Sequence, residues 1–568
     1  MSRLRLLTVS VLILVFLGSV IFVLPRSWLP QTVQDWLYAS FGESSYRRPP
    51  DTTDVALGPV EPFCPTPRPD WRPQQVVAGV TVEESLVCEP DNPAEVAAFV
   101  RGTNNVPMAV LMQTRLTPTT VVKDEDRDGD GDPDVIHVRL EVAELNGRSP
   151  DVPGPFPRYA IAPGVQPGLW VFAPKTRGMA TENFDTDVAH PSLRAPAPVI
   201  RVEQGDRLRL TLENTHYLPH TIHLHGVDHP FVDSAGEGND GVPIASELPV
   251  LPGQSRTYDL TPRQTGTMFY HCHVQPNVHI LMGLQGMFVV EENQPDNWVQ
   301  TLNPGAGQVR FSSRAVRQTY DREYDLHYQD LDRSLHELIQ TANDPRLVAE
   351  ATNRRYDITD QTPDYFVLNG RSFPYTIRES LVVVRPDQDV KLRVLNGGAE
   401  GIALHTHGHK VRITHYDGVE HNPAAQITRD VVWLGPAQRL DLHLRTVNDG
   451  LHNYGPGVWL LHDHKEKGVT TNGINPGGNI SAIVYESFLT ESGWPKTQGM
   501  DWTPFFSPAY YQKNIPIWGA LDDAGLLGQA GSQRLGWVYA ALLGLVGGLL
   551  LGGVAAGARA VFRRPRRG

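Results

Sequence analysis

Tyr270-His271-Cys272-His273, with His279 shortly after it, is the stretch whose reading decides the fold. In an extended strand successive side chains point to opposite faces, so His271 and His273 share one face and Cys272 takes the other. One strand can then serve two metal sites. A thiolate on one side is joined through its own backbone to an imidazole on each flank.

Upstream, Pro219-His220-Thr221-Ile222-His223-Leu224-His225-Gly226 supplies further ligands. His223 and His225 share a face, and His220 has the opposite parity. His220 therefore joins Cys272 and His279, a two-imidazole, one-thiolate set that matches a blue-copper electron-transfer site. His223 and His225 join His271 and His273 on the other side. Far downstream, His405-Thr406-His407-Gly408 and His462-Asp463-His464 repeat the imidazole half, but Ile402 and Asp463 stand where the first copy has His220 and Cys272. The second copy keeps the imidazole face and has lost the thiolate face. Eight imidazoles are too many for one ion and suit a cluster of three.

These ordered motifs, within residues 134–490, resemble the two-domain multicopper oxidases, laccase-like proteins related to copper nitrite reductases, with the blue copper in the first cupredoxin domain. The resemblance implies an all-β fold of two Greek-key sandwiches and about four copper ions per chain. It implies that His220, Cys272 and His279 hold the type-1 copper, with Leu284 at the axial position or Met282 if the loop is distorted. His223 and His405 would hold the type-2 copper, and His225, His271, His273, His407, His462 and His464 the type-3 pair. Electrons would pass from Cys272 to His271 and His273, and dioxygen would accept them. In two-domain relatives the partner domain comes from a neighbouring subunit, which implies a homotrimer. Copper nitrite reductases have an acid where this chain has His223 and a small residue where it has His273, so oxygen is favoured over nitrite. A copper-binding or electron-transfer protein without turnover is the remaining alternative.

The strand pattern agrees. Residues 135–142, 168–172, 199–202, 208–212 and 286–290 alternate or run apolar between turn signals, as do 365–370, 390–395 and 480–485 in the second half. This gives a first cupredoxin domain at 134–295, a polar and partly helical connector at 296–360, and a second domain at 361–490.

The chain has 568 residues, 40% hydrophobic and 20% charged, with a net charge of −13 that argues against nucleic acid. Residues 6–25 are uncharged and apolar behind Arg3 and Arg5, and residues 535–558 precede Arg559, Arg563, Arg564, Arg566 and Arg567. Both runs read as membrane spans, an anchor within 1–28, with a cleaved signal peptide as the alternative, and a helix at 535–560, with a buried helix as the alternative, reached through a juxtamembrane segment at 491–534. Their arginines set both termini in the cytoplasm and the body on the periplasmic side. Cys64 and Cys88 are left once Cys272 is assigned, and in an exported region they read as a disulfide.

Residues 29–133 are an extracytoplasmic segment with a short helix at 92–101. It ends in an acidic run where Asp126, Asp128 and Asp130 read as the first half of a calcium loop or as a solvated acidic loop. Asp228, Asp233, Glu237 and Asp240 come after the first histidine motif, as a collector of a cationic donor or as a solvated loop. The electron donor stays open between a metal ion, a phenol and a small redox protein.

Overall fold

The computed structural model describes residues 120–149, 152–175, 193–295, 297, 299, 301–303, 305–308, 320–342, 345–490, 493–497 and 503–512, with short pieces at 30, 32–33, 75–77 and 80–82. Both apolar runs, Cys64, Cys88 and the 92–101 segment lie outside them. Among the described residues no helix is long and apolar enough to cross a membrane. The chain divides into two compact units, residues 1–48 with 497–568, and residues 49–496. In the first, a 3-10 turn at Thr503–Phe506 and a short helix at Pro508–Tyr511 are described. The second holds two β-sandwiches.

The first sandwich sets one sheet on another. Strands β1 (Val121–Asp124), β2 (Val135–Leu145), β3 (Leu169–Pro174), β5 (Arg207–Glu213) and β7 (Ser255–Leu260) form one sheet, ordered β7-β5-β2-β1 with β3 also on β2. Strands β4 (Val199–Glu203), β6 (His223–His225), β8 (Gly266–His271) and β9 (Gln285–Glu291) form the other, ordered β6-β8-β9-β4, with Leu302–Asn303 at its edge. The alternation in β2 and β5 sends Ile136, Val138, Leu140, Leu208, Leu210 and Leu212 into one core. Each such side chain contributes about 1.5–3 kcal/mol when fully buried. Because β1 pairs with β2 from Val121↔Val138 to Asp124↔Val135, the sheet reaches upstream of residue 134.

The second sandwich repeats the plan. Strands β10 (Arg322–Leu331), β11 (Tyr365–Leu368), β13 (Asp389–Asn396), β15 (Val411–Tyr416) and β17 (Arg439–Arg445) lie in an eight-stranded sheet ordered β10-β13-β17-β15, with β11 on β10. Strands β12 (Val382–Val384), β14 (Ile402–Thr406), β16 (Val431–Leu434), β18 (Val458–Asp463) and β19 (Ser481–Tyr485) form the sheet β12-β19-β18-β14-β16.

Strand β10 corrects the connector expected at 296–360. Its ten residues are buried throughout, Arg322–Tyr328 pairing in parallel with β13 and Tyr328–Leu331 antiparallel with β11, so it belongs to the second sandwich. The charges that made it look like a linker are neutralised inside: Arg322 meets Glu486, and Glu323 and Asp325 meet arginines. The helical character expected of the connector comes from two helices after β10, α2 (Arg333–Ala342) and α3 (Pro345–Arg354).

The outer face of the β6-β8-β9-β4 sheet lies against the second sandwich. Val199, Phe269, Met287 and Val289 pack with Leu395 in one apolar cluster. Beside it, Arg201 binds Glu291 (2.9 Å), Glu323 (3.1 Å) and Asp325 (2.9 Å), and Arg393 binds Glu291 (3.0 Å), Asp441 (2.9 Å) and Glu323. All six groups are nearly or fully buried. Such a network fixes register between domains, because breaking any one pair leaves a buried charge.

Candidate metal centre

Strand β8 divides its side chains as the pleat requires. Met268, Tyr270 and Cys272 enter the core of the first sandwich, whereas Thr267 and Phe269 face the second domain and His271 continues that face. The two faces carry two different ligand sets.

On the core side, Cys272 Sγ is 3.6 Å from His220 Nδ1 and 3.3 Å from His279 Nδ1. All three residues are fully or almost fully buried, and their ligand atoms lie within 4.8 Å of one another. His220 is locked by reciprocal main-chain hydrogen bonds with Val250, and His279 ends the short helix α1 (Pro276–His279). Trp170 packs edge-to-face on His279 at 5.3 Å between ring centroids. Burial pushes the Cys272 thiol up to about 12 and holds His279 down to about 3. The ring nitrogens are thus neutral lone-pair donors, and a cation placed among them would take the thiol's proton's place. Two imidazoles and one thiolate fit copper. Leu284 and Met282 are both fully buried in the same core, and the Leu284 carbonyl accepts the Cys272 N–H at 3.0 Å.

On the opposite face, His223 lies directly across from His271 in the β6–β8 pair. Ring centroids of His223 are 5.1 Å from His225, 5.3 Å from His271 and 5.2 Å from His273. His225 Nε2 is 2.9 Å from His271 Nε2. His223 donates its Nδ1–H to the Asp240 carbonyl (2.7 Å), and His271 donates its own to the Cys272 carbonyl (2.9 Å), so Nε2 carries the lone pair in both. His273 is held by its main-chain N–H, given to Thr221 Oγ1 at 3.2 Å. Burial holds His225 down to about 4 and His271 down to about 3.

The second sandwich reproduces this arrangement. His405 lies directly across from His462, and His407 Nε2 is 3.1 Å from His462 Nε2. His405 donates to the Asp430 carbonyl and His462 to the Asp463 carbonyl, each at 2.9 Å. His464 is exposed, 5.5 Å from His405 between centroids. Two imidazole nitrogens bound to one ion at roughly 2 Å each stand about 3 Å apart, the separation found in both pairs. The glycine after each motif is required by space and backbone. Gly226 and Gly408 have φ of +76° and +63°, and a Cβ would meet Met268 at 2.5 Å in one and Trp459 at 2.5 Å in the other.

Where the first domain has its thiol, Asp463 sits buried and accepts the N–H of Ala403 and Lys465. Among the described residues no ring contact or hydrogen bond joins the first imidazole set to the second.

Asp126, Asp128 and Asp130 bring ligand atoms within 4.8 Å of one another, and the loop's own amides of Gly129, Gly131, Asp130 and Asp132 bind the same carboxylates. The acids after the first histidine motif do not form a free collector of cations. Asp228 is paired with Arg263, Asp233 and Glu237 with Arg256, and Asp240 turns toward His223 and His229. Sequence reasoning passed over those arginines, because Arg256 and Arg263 lie on and after β7 rather than beside the acids. It also missed His216, whose spacing of one helical turn before His220 was the available signal.

Residues 184–295 and residues 346–473 each match a family described as Multicopper oxidase. The iron transport multicopper oxidase FET3 of Gibberella zeae is 25% identical over 366 residues, 57% of this chain and 52% of that protein. Laccase-2 of Thanatephorus cucumeris is 24% identical over 343 residues, 57% of this chain and 48% of that protein. The chain spans about half the length of these curated relatives. Among solved structures, the blue copper oxidase from Nitrosomonas europaea is 24% identical, covers 67% of this chain and 94% of that one, and has a TM-score of 0.45.

Proposed function

We propose that this chain, which matches multicopper oxidase families over residues 184–295 and 346–473, is a multicopper oxidase of the cupredoxin type that couples one-electron oxidation of a donor to four-electron reduction of dioxygen to water. Copper held by the two ligand sets supplies the one-electron steps and, as four ions, the four electrons that dioxygen takes up. His220, Cys272 and His279 would hold the type-1 ion. His223 and His405 would hold the type-2 ion, and His225, His271, His273, His407, His462 and His464 the type-3 pair.

The observation that carries this reading is the division of labour across His271-Cys272-His273. The thiol is sealed in an apolar core, away from water, while its two neighbours turn to an imidazole face reached through one peptide unit each. The hydrogen bond from His271 Nδ1 to the Cys272 carbonyl adds a second short link and fixes the His271 ring. His223 and His273 put imidazoles where a nitrite reductase would need an acid and a small side chain, which favours oxygen. Oxygen uptake with a generic reductant, measured with and without nitrite, tests the choice. Nitrite consumption without oxygen uptake would overturn it.

A homotrimer is supported by the lack, among the described residues, of any ring contact or hydrogen bond between the two imidazole sets of one chain. Each would find its complement on a neighbouring copy, in a head-to-tail ring. The apolar runs at 6–25 and 535–558 support a chain anchored at both ends, with its body on the periplasmic side. The donor is a metal ion, a phenol or a small redox protein. Since Asp228 is paired with Arg263, and Asp233 and Glu237 share Arg256, most of that loop's negative charge is already engaged, which weakens a cation-collecting role for it.

A further inference from the structure

One buried histidine outside the ligand sets touches a ligand. His216 lies on the loop after β5 and is 6% exposed. Its Nδ1 is 2.8 Å from His220 Nε2, and its own Nε2 has no hydrogen-bond partner among the described residues. The loop is held by Asn214, whose Oδ1 accepts the His216 N–H at 3.0 Å and whose Nδ2 donates to the carbonyls of Leu218 and Val250. The His216 ring is wedged between Tyr217, at 3.9 Å between centroids, and the edge of Trp170, at 5.1 Å.

These contacts fix the proton positions. His220 turns Nδ1 to the Cys272 sulfur. An ion held there takes the Nδ1 lone pair, so the neutral ring carries its proton on Nε2. The acceptor within reach is His216 Nδ1, which places the His216 proton on Nε2, the buried atom without a partner. A buried N–H left unpaired is destabilising. Packing alone would be served better by Phe or Leu at this position.

We propose that His216 is a positioning residue for the type-1 copper, accepting the Nε2–H of His220 so as to fix that ring's tautomer and plane and raise its basicity. Partners of this kind orient a metal-bound imidazole and strengthen it as a donor. A more basic ligand favours the cupric over the cuprous state, so His216 lowers the reduction potential of the site. The proposal rests on the assignment of copper to His220, Cys272 and His279.

The test uses the full-length holoenzyme. His216→Phe keeps an aromatic ring between Trp170 and Tyr217 and removes the acceptor, whereas His216→Gln returns an acceptor oxygen. The expected result is a 10–100-fold loss of type-1 copper affinity in the Phe variant, a raised reduction potential and a shifted thiolate-to-copper absorption band, with the Gln variant recovering most of each. Unchanged affinity, potential and band in the Phe variant overturn the proposal while leaving the copper reading intact. No such band in the unmodified holoenzyme overturns both. If the Phe variant does not fold, nitrogen-15 resonances of the cuprous, diamagnetic holoenzyme decide. A lone-pair Nδ1 and a protonated Nε2 on His216 support the proposal, and the reverse assignment overturns it.

Discussion

His223 stands directly across the β6–β8 pair from His271, and His405 stands in the same relation to His462 across β14 and β18. Each pair anchors a four-imidazole face, and among the described residues no ring contact or hydrogen bond joins the two faces. Two chains with complementary lesions should therefore rescue each other. Protein carrying His271→Ala and His273→Ala, and protein carrying His405→Ala and His407→Ala, are each expected to be inactive. Co-expressed, they should regain up to about a quarter of wild-type oxygen uptake, the share of interfaces with both intact halves in a randomly mixed ring. No recovery in verified mixed oligomers would count against the shared site.

Cys272→Ser removes the sulfur from a pocket where it lies 3.3–3.6 Å from two imidazole nitrogens. The variant should lose its thiolate-to-copper band and one copper per chain. Donor-driven oxygen uptake should fall by about a hundredfold or more, while the imidazole face still loads. Absorption and metal analysis on the same preparation check this.

The Leu284 carbonyl accepts the Cys272 N–H, and both side chains are buried in the same core. Leu284→Met adds a thioether there and should stabilise the cupric state. A drop in potential of about 59 mV, tenfold in a one-electron equilibrium, is the expected order. Redox titration of the blue band measures it, and an unmoved potential would point to Met282 as the nearer sulfur.

Arg393 holds Glu291, Glu323 and Asp441 together at the domain junction. Arg393→Met strands those carboxylates in the interior, at a cost of about 3–5 kcal/mol. A large fall in melting temperature is expected, with activity lost in proportion to folded protein.

Glu203 and Asp206 lie in a buried acidic cluster with Asp132, and burial raises them to about 9 and about 7. Between the ordinary carboxylate range and those values the folded state holds protons that the unfolded chain has released. Stability then falls as pH rises from about 4 to about 9. Glu203→Gln should raise stability at pH 8 and leave it unchanged near pH 4. Chemical denaturation at the two pH values separates the outcomes.

The parts of the molecule that were legible in the sequence are those governed by a period of two. The strands carrying His223, Cys272, His405 and His462 alternate with one face apolar, so the side each residue takes follows from its number. Strand β10 was illegible because it is buried on both faces and carries Arg322, Glu323, Asp325 and Asp330, whose partners come from distant parts of the chain. The pairing of Asp228 and Asp233 with Arg263 and Arg256 was hidden for the same reason, since only the folded chain brings β7 beside that loop.

Copper counted per chain in the purified, oligomeric full-length protein tests the central claim most directly. About four ions per chain, falling to about three in Cys272→Ser, is the result expected of one thiolate site plus a cluster shared between two imidazole faces. One ion per chain, lost entirely in Cys272→Ser, would mean that the imidazole faces hold no cluster and that the protein carries electrons without reducing oxygen.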